Sequence, residues 1–151
     1  LTSEQIKKAI QDSKLNNYFE PLYDNQRNIK IVQETMFSST NELRGTSYKS
    51  RIDDPKYQFA GKTGTAQVKR ISKRERELDL KTSQIPYNER DHALYVAFGP
   101  YKNPRYAVSI IVEHGGSGSS AAAPIAKELF KLIVDRHEFR KKLPDYKEFN
   151  I

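Results

Sequence analysis

The sequence predicts an α/β fold of the α+β type, an antiparallel sheet with helices packed against it. Three observations carry this. Two apolar runs, 93–98 and 105–113, are joined by Gly99-Pro100 and Lys102-Asn103-Pro104, residues that turn a chain sharply. A third strand-like run, 57–68, precedes them. After them the glycine-rich segment 115–118 opens onto a stretch whose apolar residues recur at helical spacing. Helix, helix, three adjacent strands, helix is an order that closes into a sheet with a helix across it.

Taken from the N-terminus, Thr2 or Ser3 caps a short helix over 4–13 with Ile6, Ala9 and Ile10 on one face. Residues 14–28, rich in Asn, Asp and aromatics, read as irregular. A second helix is predicted over 29–38, with Ile31 or Val32, Thr35 and Met36 on one side. It runs into Ser38-Ser39-Thr40-Asn41 and Gly45, which are turn signals. The strand 57–68 is allowed a bend by Gly61 and Gly64, and 69–91 is a long charged connection containing Pro86. Ala107-Val108-Ser109-Ile110-Ile111-Val112 is nearly continuous apolar, which predicts a central place in the sheet. The last helix starts near Ser119 or Ser120 with Pro124 in its first turn, and Ala122, Ile125, Ala126, Leu129, Leu132 and Ile133 form its buried stripe. From Leu143-Pro144 onward the tail is expected to be loosely attached.

At 151 residues the chain holds one modest core and is too short for two ordinary domains. Nine Tyr and seven Phe supply bulk in the absence of Trp. Without cysteine there is neither a disulfide framework nor a thiolate zinc site, and the compartment is left open. No stretch approaches the ~20 apolar residues of a membrane span. Residues 1–10 are too charged for a signal peptide, so any anchor or export signal is expected outside this chain. The net charge is +7, concentrated in Lys69, Arg70, Lys73, Arg74 and Arg76 and in Arg136, Arg140, Lys141 and Lys142. Neither cluster interleaves aromatics as a nucleic-acid surface does, so both read as solvated faces and no nucleic-acid partner is expected.

Chemistry concentrates in Phe59-Ala60-Gly61-Lys62-Thr63-Gly64-Thr65-Ala66-Gln67. Gly-Lys-Thr also ends a phosphate-binding P-loop, but that motif needs a glycine where Lys56 stands, and the residues between form a strand pattern. The spacing rejects a nucleotide site. The alternative is the Lys-Thr-Gly box of serine acyltransferases acting on D-alanyl peptides or β-lactams. A lysine on a strand beside the nucleophile supplies fixed positive charge. A glycine lets a ligand approach the backbone, a following hydroxyl hydrogen-bonds a carboxylate, and the strand edge pairs with an extended peptide.

The surroundings of that box extend the pattern. Ala60-Gly61-Lys62-Thr63-Gly64-Thr65-Ala66-Gln67-Val68 and Arg90-Asp91-His92-Ala93 are followed by Ala97-Phe98-Gly99-Pro100-Tyr101-Lys102-Asn103-Pro104-Arg105-Tyr106-Ala107-Val108. Val112-Glu113-His114-Gly115-Gly116-Ser117-Gly118-Ser119 and an alanine-rich helix come next. Together they resemble the class B penicillin-binding proteins, in particular the cell-elongation group known as penicillin-binding protein 2. The resemblance is strong over 57–134, weaker at Met36 and Gly45-Thr46, and slight elsewhere. It implies the C-terminal part of the penicillin-binding, β-lactamase-like transpeptidase fold, with 57–134 its recognisable core and 135–151 a tail. It also implies that Lys62 organises the hydrogen bonds of the site, Thr63 lines the groove, Gly64 permits close approach and Thr65 binds the substrate carboxylate. The Thr65 backbone N–H would be one of two oxyanion donors. The implied parent is a D,D-transpeptidase that cross-links peptidoglycan stem peptides at the periplasmic face of the inner membrane. It needs no cofactor, is inhibited by β-lactams, and works with membrane-bound elongation and glycan-polymerising proteins.

The family's nucleophile sits in Ser-x-x-Lys, where the lysine activates the serine. No serine of this chain is followed three residues later by lysine. Ser39-Thr40-Asn41 matches the family's Ser-x-Asn box in letters, but that box lies much farther upstream of Lys-Thr-Gly, so the match reads as a helix-ending turn. The chain is therefore expected to be inactive alone. A noncatalytic binding or assembly piece from a split or degenerate gene is the alternative; a β-lactamase or carboxypeptidase fragment fits 92–119 less well. His92, His114 and His137 lack metal-ligand spacing, and His92 and His114, flanking strands, read as structural hydrogen-bond partners. The 115–118 glycines serve either an anion at a helix N-terminus or a tight strand-to-helix connection.

Overall fold

A computed structural model describes Thr2, Glu4, residues 25–70, Leu78 and residues 80–143. The chain divides into two compact units, Leu1–Ile31 and Val32–Ile151. The expected helix over 4–13 lies almost wholly outside the described residues, as do Lys73, Arg74 and Arg76 and the end of the tail. In the first unit, the described backbone from Gln26 is already helical, begun by Asn25, whose Oδ1 accepts the Arg27 N–H at 2.9 Å. Helix α1, Gln26–Asn41, is thus longer at both ends than 29–38 and starts inside the stretch expected to be irregular.

The second unit holds an antiparallel sheet of three described strands: β1 Ala60–Ala66, β2 His92–Gly99 and β3 Tyr106–Val112, in that spatial order. The fold class predicted from the sequence is the one observed. Apolar residues alternate along β2, so that Ala93, Tyr95 and Ala97 are buried beneath helix α2, Ala123–Lys141. Ala122 of the preceding turn and Ala123, Ala126 and Phe130 of the helix share one core with them. Small alanines on both surfaces bring helix and sheet close, and the aromatics fill what remains. Phe130 stacks on Phe59 with centroids 4.9 Å apart, and Phe59 meets Tyr95 edge-on at 6.4 Å.

Two expectations are corrected. Among the described strands the central one is β2, not β3, and the apolar run of β3 is split between faces: Ile110 is buried, whereas Ile111 is 64% exposed. Of the expected stripe, Ala122, Ala126 and Leu129 do pack on the core, but Ile125 and Leu132 face solvent, and on α2 the buried residues are Ala123, Ala126, Phe130 and Val134. The registers Ala-to-Phe-to-Val and Ile-to-Leu are both helical, and the close helix–sheet spacing selects the one that begins with alanines. Similarly, Val32 and Thr35 of α1 are exposed, and its buried residue is Thr40. A π-turn, Gly118–Ala122, precedes α2, and Pro124 occupies its first turn as expected. The helix continues through Lys141, carrying Arg136, Arg140 and Lys141 on its final turns.

At the surface Lys56, Tyr57 and Asp135 close a clip between the loop before β1 and α2. Tyr57 donates its hydroxyl to Asp135 Oδ1 at 2.6 Å, and Lys56 Nζ donates to the same oxygen at 2.9 Å. The Tyr57 hydroxyl first, and Lys56 second, hold the Asp135 carboxyl below its ordinary range. A depressed carboxylate contributes stability above its unfolded pKa and loses it as pH falls through the folded value. Asp135→Asn is therefore expected to lower the urea midpoint slightly at neutral pH. The difference vanishes in acid below the ordinary aspartate range, with high salt shrinking it because the clip is exposed.

Candidate active site

The Lys62-Thr63-Gly64-Thr65 box lies in one extended segment on β1, an edge strand of the described sheet. Across from it on β2 stand Val96, Tyr95, Leu94 and Ala93 in that order. Lys62 and Thr65 are exposed, and Thr63 and Gly64 half-buried. The direction of the backbone groups follows from Gly61. Its N–H donates not to β2 but to the hydroxyl of Thr40, at 3.0 Å. In an antiparallel ladder, alternate residues turn their N–H and C=O to the same side. Thr63 and Thr65 therefore also turn theirs away from β2, off the outer edge. The Thr63 carbonyl agrees, since it accepts from Lys62 Nζ at 2.8 Å rather than from the sheet.

The strand is held from behind. A cluster of three buried hydroxyls stands at the start of β1: Thr40, Ser47 and Tyr95. The Tyr95 hydroxyl lies 2.9 Å from Thr40 Oγ1 and 3.0 Å from Ser47 Oγ. Burial pushes the Tyr95 phenol above its usual range against the opposing pull of Ser47 and Thr40, so at neutral pH it carries its proton. Gly61 packs flat on this phenol, and a Cβ there would overlap the ring. Farther along, Gly118 backs Gly64: a Cβ on Gly118 would stand 2.8 Å from the Gly64 carbonyl oxygen and collide with that of Leu94. The glycines near the box thus serve close packing of backbone on backbone.

A side-chain thread reaches the box from the turn after α1. Thr46 Oγ1 lies 3.2 Å from Thr63 Oγ1 and 3.2 Å from Ser39 Oγ. In Ser39-Thr40-Asn41, Asn41 Nδ2 donates to the carbonyls of Phe37 and Phe59 at 3.1 and 2.9 Å, tying the end of α1 to the chain before β1, while its buried Oδ1 has no partner among the described residues. Ser47 and Tyr95 escaped the reading of motifs, and Thr40 entered it only as the middle letter of Ser39-Thr40-Asn41, the three being spread over the chain. The available signal was Tyr95 between Ala93 and Ala97 on the inward face of a strand, where a phenol needs a hydrogen-bond partner.

The strand ends are tied by histidines. His92 Nδ1 accepts the backbone N–H of His114 at 2.9 Å, and His114 Nδ1 is 3.0 Å from the Arg90 carbonyl oxygen. Both are structural partners, as their places beside strands predict. With Nδ1 of His92 accepting, its neutral form holds the proton on Nε2, and His114 holds its own on Nδ1. The 115–118 glycines lie in a tight strand-to-helix connection, where Gly116 has a φ of 79° and donates its N–H to the Asp91 carbonyl at 2.8 Å. His137 stands apart on α2, 2.6 Å from Arg105 Nη1.

Comparison with known proteins decides the family. The model of the penicillin-binding protein transpeptidase domain matches residues 4–131. The chain belongs to this family. Peptidoglycan D,D-transpeptidase MrdA of Haemophilus influenzae is 31% identical over 157 residues, covering 100% of this chain and 23% of that protein. The enzyme of the same name from Acinetobacter baumannii is 47% identical over 81 residues, covering 52% of this chain and 11% of that one. Among solved structures, PBP2 of Pseudomonas aeruginosa, determined with WCK 5153, superposes with a TM-score of 0.57 at 34% identity, over 75% of this chain and 21% of the other. PBP2 of Helicobacter pylori, solved in complex with MreC, gives 0.55 at 31% identity, over 82% and 20%. The chain thus spans less than a quarter of the relatives it matches. Among the described residues no helix is long and apolar enough to cross a membrane.

Proposed function

We propose that this chain is the C-terminal portion of a peptidoglycan D,D-transpeptidase, carrying its substrate-binding strand and half of its oxyanion hole but not its nucleophile. The observation that carries the reading is the edge of β1. Thr63 and Thr65 turn their backbone groups off the sheet beside the Lys62 amine, whose Nζ reaches the Thr63 carbonyl at 2.8 Å. An extended D-alanyl peptide pairs with such an edge. Its carboxylate meets the Thr65 hydroxyl and the Lys62 charge. The Thr65 N–H, fixed by the strand, stabilises the oxyanion that forms when the carbonyl is attacked, and a preorganised donor of this kind is worth ~10²–10³ in rate. Thr63, bridged to Thr46, lines the groove, and Gly64 keeps the wall thin where the ligand lies.

The attacking serine, its activating lysine and the second oxyanion donor come from the rest of the longer protein, since no Ser-x-x-Lys occurs here. Stem peptides and β-lactams are then ligands of the whole domain, at the outer face of the cytoplasmic membrane. Elongation proteins are its partners, a reading that the H. pylori relative in complex with MreC supports. A noncatalytic assembly role for the piece by itself follows only if the gene encodes nothing upstream. The test is covalent labelling by a fluorescent penicillin, of this chain and of the longer protein side by side.

A further inference from the structure

Lys62 and Thr65 make the chemistry, but something must hold the edge they stand on. An outer edge strand has one row of backbone groups unpaired by the sheet, and a strand tied on one side only is free to shift sideways. At the head of β1 that row is met by a side chain. Thr40 Oγ1, on the last turn of α1, accepts the Gly61 N–H at 3.0 Å, and the same oxygen is 3.3 Å from the Gly61 carbonyl. Thr40 is wholly buried, so neither group has water as an alternative.

The protons on this cluster can be assigned by counting. Ser47 Oγ donates to the Ser39 carbonyl at 3.1 Å or to Thr40 Oγ1 at 3.3 Å, and the Ser47 N–H goes to the Ser39 carbonyl at 3.0 Å. Thr40 has one proton, which goes to the Met36 or the Gly61 carbonyl, each 3.3 Å away. The Tyr95 proton then goes to Thr40 at 2.9 Å or to Ser47 at 3.0 Å. Thr40 Oγ1 therefore accepts from the strand on one side while the phenol and Ser47 hold its rotamer on the other. No donor is left over.

Resting on the reading of β1 as the substrate-binding strand, we propose that Thr40 is a positioning residue of the site: its hydroxyl occupies the sheet edge at Gly61, fixes where Lys62–Thr65 lie, and ends the edge open to an extended ligand, leaving Thr63 and Thr65. It touches no substrate. Tyr95 and Ser47 serve it by orienting the hydroxyl. A ligand strand consequently pairs in one register, starting beyond Gly61, and a slip by two residues toward α1 is blocked.

The experiment uses the longer gene product with Thr40→Val, Thr40→Ser and Tyr95→Phe. Val keeps the shape of Thr without the acceptor, and Ser restores the acceptor. Two quantities are read: the rate constant of acylation by a fluorescent penicillin at saturation, and hydrogen exchange of the β1 amides against those of β3. Thr40→Val is expected to slow acylation about tenfold, the equivalent of one lost hydrogen bond of ~1.4 kcal/mol. It also speeds exchange at Gly61, Lys62 and Gly64, the bonded amides of β1, while the β2-facing amides of Tyr106–Val112 stay protected. Tyr95→Phe, which leaves the Gly61–Thr40 bond in place, gives a smaller change of the same pattern, and Thr40→Ser recovers the wild-type rate. If Thr40→Val does not fold, Tyr95→Phe and Thr40→Ser are compared in its place, and equal, non-selective effects overturn the proposal. Wild-type acylation and β1 protection in Thr40→Val overturn it as well, as does faster exchange shared equally by β1 and β3. Should the unsubstituted protein resist acylation altogether, the functional reading fails, while selective exchange at β1 still upholds the Thr40 joint.

Discussion

Phe130→Ala is expected to lower the stability of the sheet-bearing unit by about 3–5 kcal/mol, the usual range for emptying an aromatic site in a core that cannot collapse. The site here is of that kind. Phe130 is fully buried, stacked on Phe59 and pressed on Gly99, where even one added carbon would come within 2.9 Å of its ring. The core it belongs to is lined in large part by Ala93, Ala97, Ala122, Ala123 and Ala126, whose short side chains fill little of a void. Leu132→Ala, two residues on and 67% exposed, is the control, and its change is expected to stay within about 0.5 kcal/mol. The midpoint of urea unfolding, followed by circular dichroism, reads both. Equal shifts would show that the packing register of α2 is wrong and that the Ile125–Leu132 face is the buried one.

Gly118→Ala is expected to damage both stability and site geometry. Its Cβ would press on two carbonyl oxygens, those of Leu94 and Gly64, and stand 3.2 Å from the Gly64 nitrogen. All three are backbone atoms in the β1–β2 ladder, so no side chain can swing aside. Either the π-turn lifts from the sheet or β1 moves outward at Gly64, next to the Thr65 N–H. Overpacking of this kind typically costs about 1–3 kcal/mol. If the Thr65 N–H is the oxyanion donor proposed above, its displacement by a fraction of an ångström adds a loss of acylation in the longer protein, of about tenfold or more. The expected signature is acylation falling further than thermal stability alone accounts for. Unchanged acylation with normal melting would mean that Gly118 is replaceable and that the π-turn does not set the position of β1. Ser119→Ala, one residue later and half-buried, is expected to leave both readings near wild type.

Fold class and site were legible in the sequence to different depths, for physical reasons. The two strands that became β2 and β3 were marked by turn residues on both sides, and the register between them follows from the tight Pro100–Arg105 connection. The place of β3 in the sheet was not legible. An apolar run says that a strand has oily neighbours without saying whether they belong to this chain, and Ile111 is exposed in what is described here. The stripe on α2 was misread because two apolar rows share the helix, and the choice rests on how closely the alanines let it approach. Lys62–Thr65 could be singled out because the box is four consecutive residues. The support of that strand could not, because Thr40, Ser47 and Tyr95 meet only once α1, the following turn and β2 are folded together. Residues whose role is to hold another residue's backbone leave no spacing to detect.

The most direct test of the account is the labelling experiment. This chain and the longer gene product are incubated separately with a fluorescent penicillin, denatured, and separated by electrophoresis, with a Lys62→Ala form of the longer product beside them. The account predicts a labelled band for the longer product, its loss or severe weakening on Lys62→Ala, and no band for the 151-residue chain, which has the proposed binding strand but no Ser-x-x-Lys to acylate. A band on this chain alone would contradict the account, as would equal labelling of the Lys62→Ala form.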